Sequence, residues 1–258
     1  MLPTPSTSHV CYDAIYEPAE DSFLFLDTLS SPSETAWLHS RFNAKPTPFL
    51  VELGPGSGVI IAFLSAHCHR IFGTEVLSLG VDVNAQACRA TWTTVQKALH
   101  ETKQASTSTS TGGSVYLSSL TGDLTTPLKP GEVDVLVFNP PYVPTDNVPA
   151  FPSTGVTSRK VTFEESSHLL SLSYAGGADG MEVTNRLLQE LPVILNQHGV
   201  AYVLFCRGNK PEEVKDWING WAASSNWSWR AETVGTSGKT AGWEKLEIVR
   251  IWREEKGS

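Results

Sequence analysis

Cysteine is scarce and scattered. Cys11, Cys68, Cys88 and Cys206 are the only four in 258 residues, and no two form a CxxC pair. That argues against a disulfide framework or a metal site and fits free thiols in a reducing compartment, cytoplasm or nucleus. Positive charge is also short: 19 Lys and Arg face 27 Asp and Glu, a net charge of −8. Phosphate binding needs clustered cations, so no whole-surface affinity for nucleic acid is expected. No apolar run is long enough to span a bilayer, and "MLPTPSTSHV" lacks the charged-then-apolar order of a signal peptide. What is present is an ordinary globular composition, 40% hydrophobic and 18% charged, with enough apolar material for a substantial core.

The pattern along the chain is regular. A helix is predicted from about Glu20, with Pro18 at its entrance and Phe23, Leu24, Leu26 and Leu29 as its apolar face. "SSPSETAWLHSRFNAKPTP" reads as a connection holding a short helix. "FLVELG" reads as a buried strand, "SGVIIAFLSAHCHR" as a helix, "EVLSLGVDVN" as a strand and "AQACRATWTTVQKALHETK" as a helix. "QASTSTSTGGS" is a low-complexity insertion, expected to be a disordered loop. "VYLSSLTGDL", "VDVLVFNPPY" and "GVAYVLFC" carry three more strands. "FEESSHLL" is weakly helical, and a long helix is predicted from Asp179, bent at Pro192. A further helix starts in "KPEEV", and "WSWRAETVG" and "WEKLEIVRIW" read as two final strands. Strands alternating with helices predict a mostly parallel α/β sheet covered on both faces, closed by an antiparallel pair.

"VELGPGSGVI" puts Gly54, Gly56 and Gly58 at the first strand-to-helix turn. The G-x-G-x-G spacing departs from the G-x-G-x-x-G of dinucleotide binders. Such a turn lets backbone approach a ligand at a helix N-terminus; by itself it is equally a tight turn with no ligand. Acids follow each of the next strands. Asp82 ends the second, where a carboxylate can accept from both ribose hydroxyls. Asp123 follows the third, where it can accept from an adenine amine while Leu124 donates its N–H to a ring nitrogen. Glu52 lies inside the first strand, where a carboxylate is costly without a partner such as an ammonium group. This set is similar to the class I S-adenosylmethionine-dependent methyltransferases. The resemblance implies a Rossmann-like, seven-stranded, mostly parallel sheet with helices on both faces and an antiparallel last strand.

"FNPPY" closes the fourth strand with Asn139, Pro140, Pro141 and Tyr142. Pro140 forces Asn139 towards an extended backbone, and each proline fixes φ and removes a donor. The stiff turn presents two acceptors, the Asn139 side-chain oxygen and the Pro140 carbonyl. Two acceptors about 3 Å from one nitrogen hold both hydrogens of an NH2 group and direct its lone pair. That is what methylation of a weakly nucleophilic planar nitrogen requires, and orientation is the main contribution. Tyr142 is expected to wall the site against water. The motif does not distinguish a glutamine amide from adenine or cytosine.

"YEPAEDSFLFLDTL", with "VFNPPYVPT" and "YAGGADGMEVTNRLL", closely resembles the eukaryotic and archaeal branch of the HemK-type glutamine methyltransferases. The resemblance implies that Tyr16, Glu20 and Ser22 close over the methionine end of S-adenosylmethionine, Ser22 standing where the family usually has Thr. It implies that Glu52, Gly54, Gly56, Gly58, Asp82, Asp123 and Leu124 hold the cofactor. Asn139 to Tyr142 would hold the target amide, the glutamine of the GGQ motif of a class 1 translation release factor. Pro, Ser and Thr content predicts residues 1–15 as a mobile N-terminus, and with no fixed-period repeat or strong boundary 16–258 is expected to be one methyltransferase domain. The resemblance also implies a partner, a small zinc-binding methyltransferase activator. "SVYLSSL" is a compatible place for a heterodimer: an edge strand with Val115, Leu117 and Tyr116 as candidates for exposure, which strand addition would cover. The loops at Ser106–Gly113 and Ser30–Pro48 are longer than the family norm.

Three other readings stay open on sequence. An adenine-specific DNA or RNA methyltransferase uses a similar turn, but it needs a basic groove for a flipped base, and no Lys/Arg cluster is present. A protein lysine methyltransferase would suit an acidic chain. A non-catalytic cofactor-binding scaffold is countered by the intact Asn139 turn.

Overall fold

The computed structural model describes residues 2–42, 46–105, 114–151, 162–238 and 245–256. The Ser/Thr insertion read as a disordered loop falls at 106–113, outside the described residues. Seven strands form one sheet: β1 (Phe49–Leu53), β2 (Leu77–Asp82), β3 (Val115–Thr121), β4 (Val133–Phe138), β5 (Leu195–Cys206), β6 (Trp227–Thr236) and β7 (Leu246–Glu255). Their order is β3-β2-β1-β4-β5-β7-β6. The first five run parallel, and β7 is antiparallel to both β5 and β6. The helices are α1 (Glu20–Leu29), α2 (Pro32–Phe42), α3 (Val59–Ala66), α4 (Cys68–Ile71), α5 (Ala85–Ala105), α6 (Phe163–Ser171), α7 (Glu182–Ile194) and α8 (Pro211–Asn219).

A parallel strand covered on both faces needs apolar side chains at successive positions. β5 shows the consequence. Val200, Tyr202 and Leu204 enter one core with Phe25, Leu38, Phe42 and Ile61, from α1, α2 and α3. Ala201, Val203 and Phe205 enter the other core with Leu187, Leu191 and Ile218, from α7 and α8. No described helix is long and apolar enough to cross a membrane.

Two boundaries and one helix face differ from the sequence reading. The long helix begins at Glu182 rather than Asp179, because Asp179 takes a left-handed φ of 54° that no helix accommodates. Strand β5 starts at Leu195, immediately after α7, not at Gly199. The buried face of α1 is Asp21, Ser22, Phe25, Leu26, Thr28 and Leu29, while Phe23 is 45% exposed. Residues 1–15, expected to be mobile for their Pro, Ser and Thr content, contact the body of the protein within the described part through Val10, Ala14 and Ile15. Val10 and Ile15 pack with Ala87 of α5, and Asn84 donates to the Ala14 carbonyl at 2.8 Å.

The α2 side is tied by a buried ionic group. Arg250 of β7 donates to both Glu34 oxygens at 2.7 and 3.0 Å, and the Tyr202 hydroxyl donates to Glu34 at 2.8 Å. The guanidinium sits in the corner of the edge-to-face pair Trp37 and Trp252, 4.1 and 4.6 Å from the ring centroids.

Candidate active site

Strand order and register build the site. The order reverses between β1 and β4, with β2 and β3 on one side and β5 on the other, and such a switch point opens a crevice at the carboxyl ends. Leu53, the last residue of β1, pairs with Phe138, the last of β4, and with Val81 of β2. Gly54, Asn139 and Asp82 therefore leave neighbouring strands side by side. They line one cleft, together with Tyr16, Asp21, Ser22, Glu52, Gly56, Asp123, Leu124, Pro140 and Pro141.

The glycine turn is left-handed throughout, with φ of 58°, 55° and 80° at Gly54, Gly56 and Gly58. Its members differ in role. Gly54 and Gly56 line the cleft, whereas a Cβ on Gly58 would sit 2.7 Å from the Thr91 backbone. Gly58 thus lets α3 and α5 pack closely. Glycine gives α3 no capping side chain, and Glu52 supplies one from the strand: its carboxylate accepts from the Ile61 N–H at 2.8 Å. Glu52 is 1% exposed and has no cation beside it among the described residues. Burial, with Asp82 adding like charge, pushes its pKa up to about 8. Asp82 accepts from the Gly56 N–H at 3.1 Å and from the Asn84 N–H at 2.8 Å. Burial raises it to about 6.

Asn139 lies on the opposite wall. Its NH2 group donates to Asp21 of α1 at 3.1 Å, and its Oδ1, shielded from solvent, has no hydrogen-bond partner among the described residues. Of the four buried side-chain atoms left open among the described residues, it alone belongs to a residue lining the cleft, where a ligand can answer it. The backbone behind it is braced. Gly180, at φ 69°, passes so close to the turn that a Cβ there would stand 2.0 Å from the Tyr142 carbonyl. Buried Asn209 donates to the Tyr142 and Asp179 carbonyls at 3.3 and 2.9 Å, and accepts from the Cys206 N–H at 2.9 Å. The "GGADG" segment thus fixes the far side of the proline turn.

Other predicted residues stand elsewhere. Glu20 is exposed and borders a separate groove with Phe23, Leu24 and Asp27. Tyr142 is half-buried and packs on the core under α1, outside the cleft lining. The apolar walls are Phe138, Val148, Phe151, Leu169, Leu172 and Val183. Asp123 pairs with Arg186 at the cleft margin. Leu124 holds an uncommon left-handed φ of 46°. Sequence reading missed Asp21 and Asn84. It read α6 as weakly helical but gave it no place at the site; Leu169 of that helix lines the cleft, and α6 buries none of its own residues.

These groups fit S-adenosylmethionine. Each Asp82 oxygen keeps a lone pair for a ribose hydroxyl after accepting from backbone. Glu52 is a buried carboxylate without a counter-charge, suited to an ammonium-bearing ligand. Gly54 and Gly56 expose backbone with no Cβ in the way.

No protein-family model matches the chain. Among curated proteins, it is 32% identical over 220 residues to "Methyltransferase HEMK2" of Mus musculus, covering 83% of each chain. It is 32% identical over 257 residues to "eRF1 methyltransferase catalytic subunit mtq2" of Schizosaccharomyces pombe, covering 98% of this chain and 96% of that one. A "putative protein N5-glutamine methyltransferase" of Methanocaldococcus jannaschii is 27% identical over 190 residues, covering 74% and 71%. With relatives at this identity aligned over more than four fifths of both chains, and with a cofactor-shaped cleft meeting an Asn-Pro-Pro-Tyr turn at the switch point, the chain belongs to the HemK-type methyltransferases.

Proposed function

We propose that this protein transfers the methyl group of S-adenosylmethionine to the side-chain amide nitrogen of the glutamine in the GGQ motif of a class 1 translation release factor. The carrying observation is Asn139: a solvent-shielded carbonyl oxygen with no partner among the described residues, on a proline-stiffened turn, beside a cleft suited to the cofactor. The printed name of the fission yeast relative, an eRF1 methyltransferase catalytic subunit, supports the substrate.

In this reading the bound cofactor supplies an electrophilic sulfonium methyl. Asp82 holds its ribose, Glu52 faces its ammonium end, and Tyr16 and Ser22 close the methionine side. Asn139 Oδ1 and the Pro140 carbonyl accept the two amide hydrogens and turn the nitrogen lone pair towards the methyl carbon. Phe138, Val148, Leu169 and Leu172 exclude water. No strong base would be required: the N–CH3 bond would form as the S–CH3 bond breaks, which makes the nitrogen acidic, and its extra proton would pass to solvent as the product leaves.

The partner reading is part of the proposal. On the edge strand β3, Val115 and Leu117 are 51% and 48% exposed, and Trp92 of α5 beside them is 43% exposed. Tyr116, the third candidate, is buried, and its hydroxyl bonds Ser119. A small zinc-binding activator adding a strand here would cover the apolar edge. The reaction would take place where the release factor works, in the cytoplasm.

The test is a labelled-methyl assay on the release factor, with and without the activator, beside a plain DNA duplex. Label is expected on the factor and absent when its GGQ glutamine is changed to Ala. Label on the DNA, or label that survives that substitution, would refute the assignment.

A further inference from the structure

Methyl transfer to an amide needs Asn139 to show its oxygen, not its NH2 group, to the target. An amide side chain can sit either way round, and the two orientations have opposite meaning: flipped, it would set donor against donor and repel a target NH2. Neither proline decides this. The neighbour that does is Asp21, 3% exposed on the first turn of α1. One of its oxygens accepts from Asn139 Nδ2 at 3.1 Å. The other accepts from the Ser22 N–H at 2.6 Å and from the Ser22 hydroxyl at 3.3 Å. An ionised carboxylate can only accept, so it selects the orientation that gives it the NH2 group. The flip would bring Oδ1 against a carboxylate oxygen at the same short distance.

We propose that Asp21 is a positioning residue that sets the polarity of the acceptor turn, and so restricts the enzyme to targets presenting a nitrogen with two hydrogens. This rests on the glutamine-amide reading of the site. Ser22 has a second role in it, since its N–H and hydroxyl hold the Asp21 carboxylate that faces Asn139. Asp21 transfers no proton and touches no reacting atom.

The test uses the full chain, with Asp27→Asn as a control on the exposed face of the same helix. Asp21→Ala is expected to lower kcat by about 10- to 100-fold, as loss of an orienting outer partner does, with cofactor Kd and Tm little changed. Asp21→Asn, which can still offer an oxygen, should recover part of that loss. Asn139→Asp alone sets two carboxylates face to face. Combining it with Asp21→Asn restores a donor–acceptor pair of reversed polarity and should raise kcat roughly tenfold over Asn139→Asp, a coupling expected only of contacting groups. An activity-free arm tracks the Asn139 side-chain amide by nitrogen-15 NMR: Asp21→Ala should shift its resonance and speed its hydrogen exchange. The proposal is overturned by an unchanged kcat and unmoved amide in Asp21→Ala. It is equally overturned if Asp21→Ala and Asp21→Asn both lose Tm and cofactor binding in step with activity, or if the double variant is no better than Asn139→Asp. If wild type fails to methylate the release factor, the functional reading falls alone, and the NMR arm still decides on Asp21.

Discussion

Among the buried glutamates of the described residues, Glu34 and Glu52 differ most in what stands beside them. Glu34 is 3% exposed and fully answered: Arg250 meets both its oxygens and Tyr202 donates to one. Glu52 is 1% exposed, accepts one backbone N–H, and has no cation among the described residues. The first carboxylate is neutralised without a ligand, although Arg250 Nε beside it is left without a hydrogen-bond partner among the described residues. The second is not, and another open group, Asn139 Oδ1, lines the same cleft. What sets the cleft apart is that a buried carboxylate without a cation and an open buried acceptor stand in the same place.

The comparison can be broken at its structural end. Arg250→Met leaves Glu34 buried and uncompensated, which should cost about 3–5 kcal/mol, read as a fall in urea midpoint. Methyl transfer per folded molecule should stay near wild type; a selective loss of transfer would tie this cluster to the site. At the other end, Asn139→Ala should lower transfer by at least about 10²–10³-fold, the scale for losing a preorganised polar contact. Cofactor affinity and Tm should hardly move. Loss of cofactor binding with it would show that Asn139 serves the cofactor instead.

Glu52→Gln sharpens the contrast through pH. The folded pKa is raised from 4.5 to about 8, so between those values the folded empty protein holds a proton that the unfolded chain has lost. Stability should then fall as pH rises from 4.5 to about 8 and level off beyond that. Glu52→Gln should remove most of that slope and stabilise the empty protein at about pH 8 by on the order of 2 kcal/mol, while weakening cofactor binding. Asp82, raised from 3.8 to about 6, should leave a residual slope in the lower part of the range. Calorimetry across the range from acid to mildly alkaline pH reads both, and an unchanged slope in Glu52→Gln would show that this carboxylate is not the group that titrates. The smallest effect belongs to Glu20→Gln, exposed and outside the cleft. Stability should change by less than about 0.5 kcal/mol and turnover by less than twofold; a large loss of turnover would return Glu20 to the site.

Much of this was legible because motif and strand end coincide. The glycine turn, Asp82, Asp123 and the Asn139 turn each come directly after an apolar run, and parallel α/β sheets place such positions at one edge. What failed was facing. Glu20 and Asp21 are neighbours on a helix, about 100° apart, so only one of them can look into the cleft. The sequence reading gave α1 an apolar face containing Phe23 and Leu24, which put Asp21 on the wrong side. The stripe Ser22, Phe25, Leu26, Leu29 at spacings of three, four and seven was equally available and includes Asp21 at its margin. Tyr142 failed for a related reason. Two prolines set the chain direction after Asn139, but where that direction leads depends on Gly180 and Asn209, which lie far along the chain.

The pairing of Leu53 with Phe138 also fixes a length. Hydrogen-bonded strands lie about 4.8 Å apart, so the turn facing the methyl donor and the turn facing the acceptor are spaced by the sheet's own ladder, not by any loop. Loops can lengthen without altering that spacing. A descendant of this fold could exchange its target by rebuilding only the segment after β4, while the donor half is inherited intact.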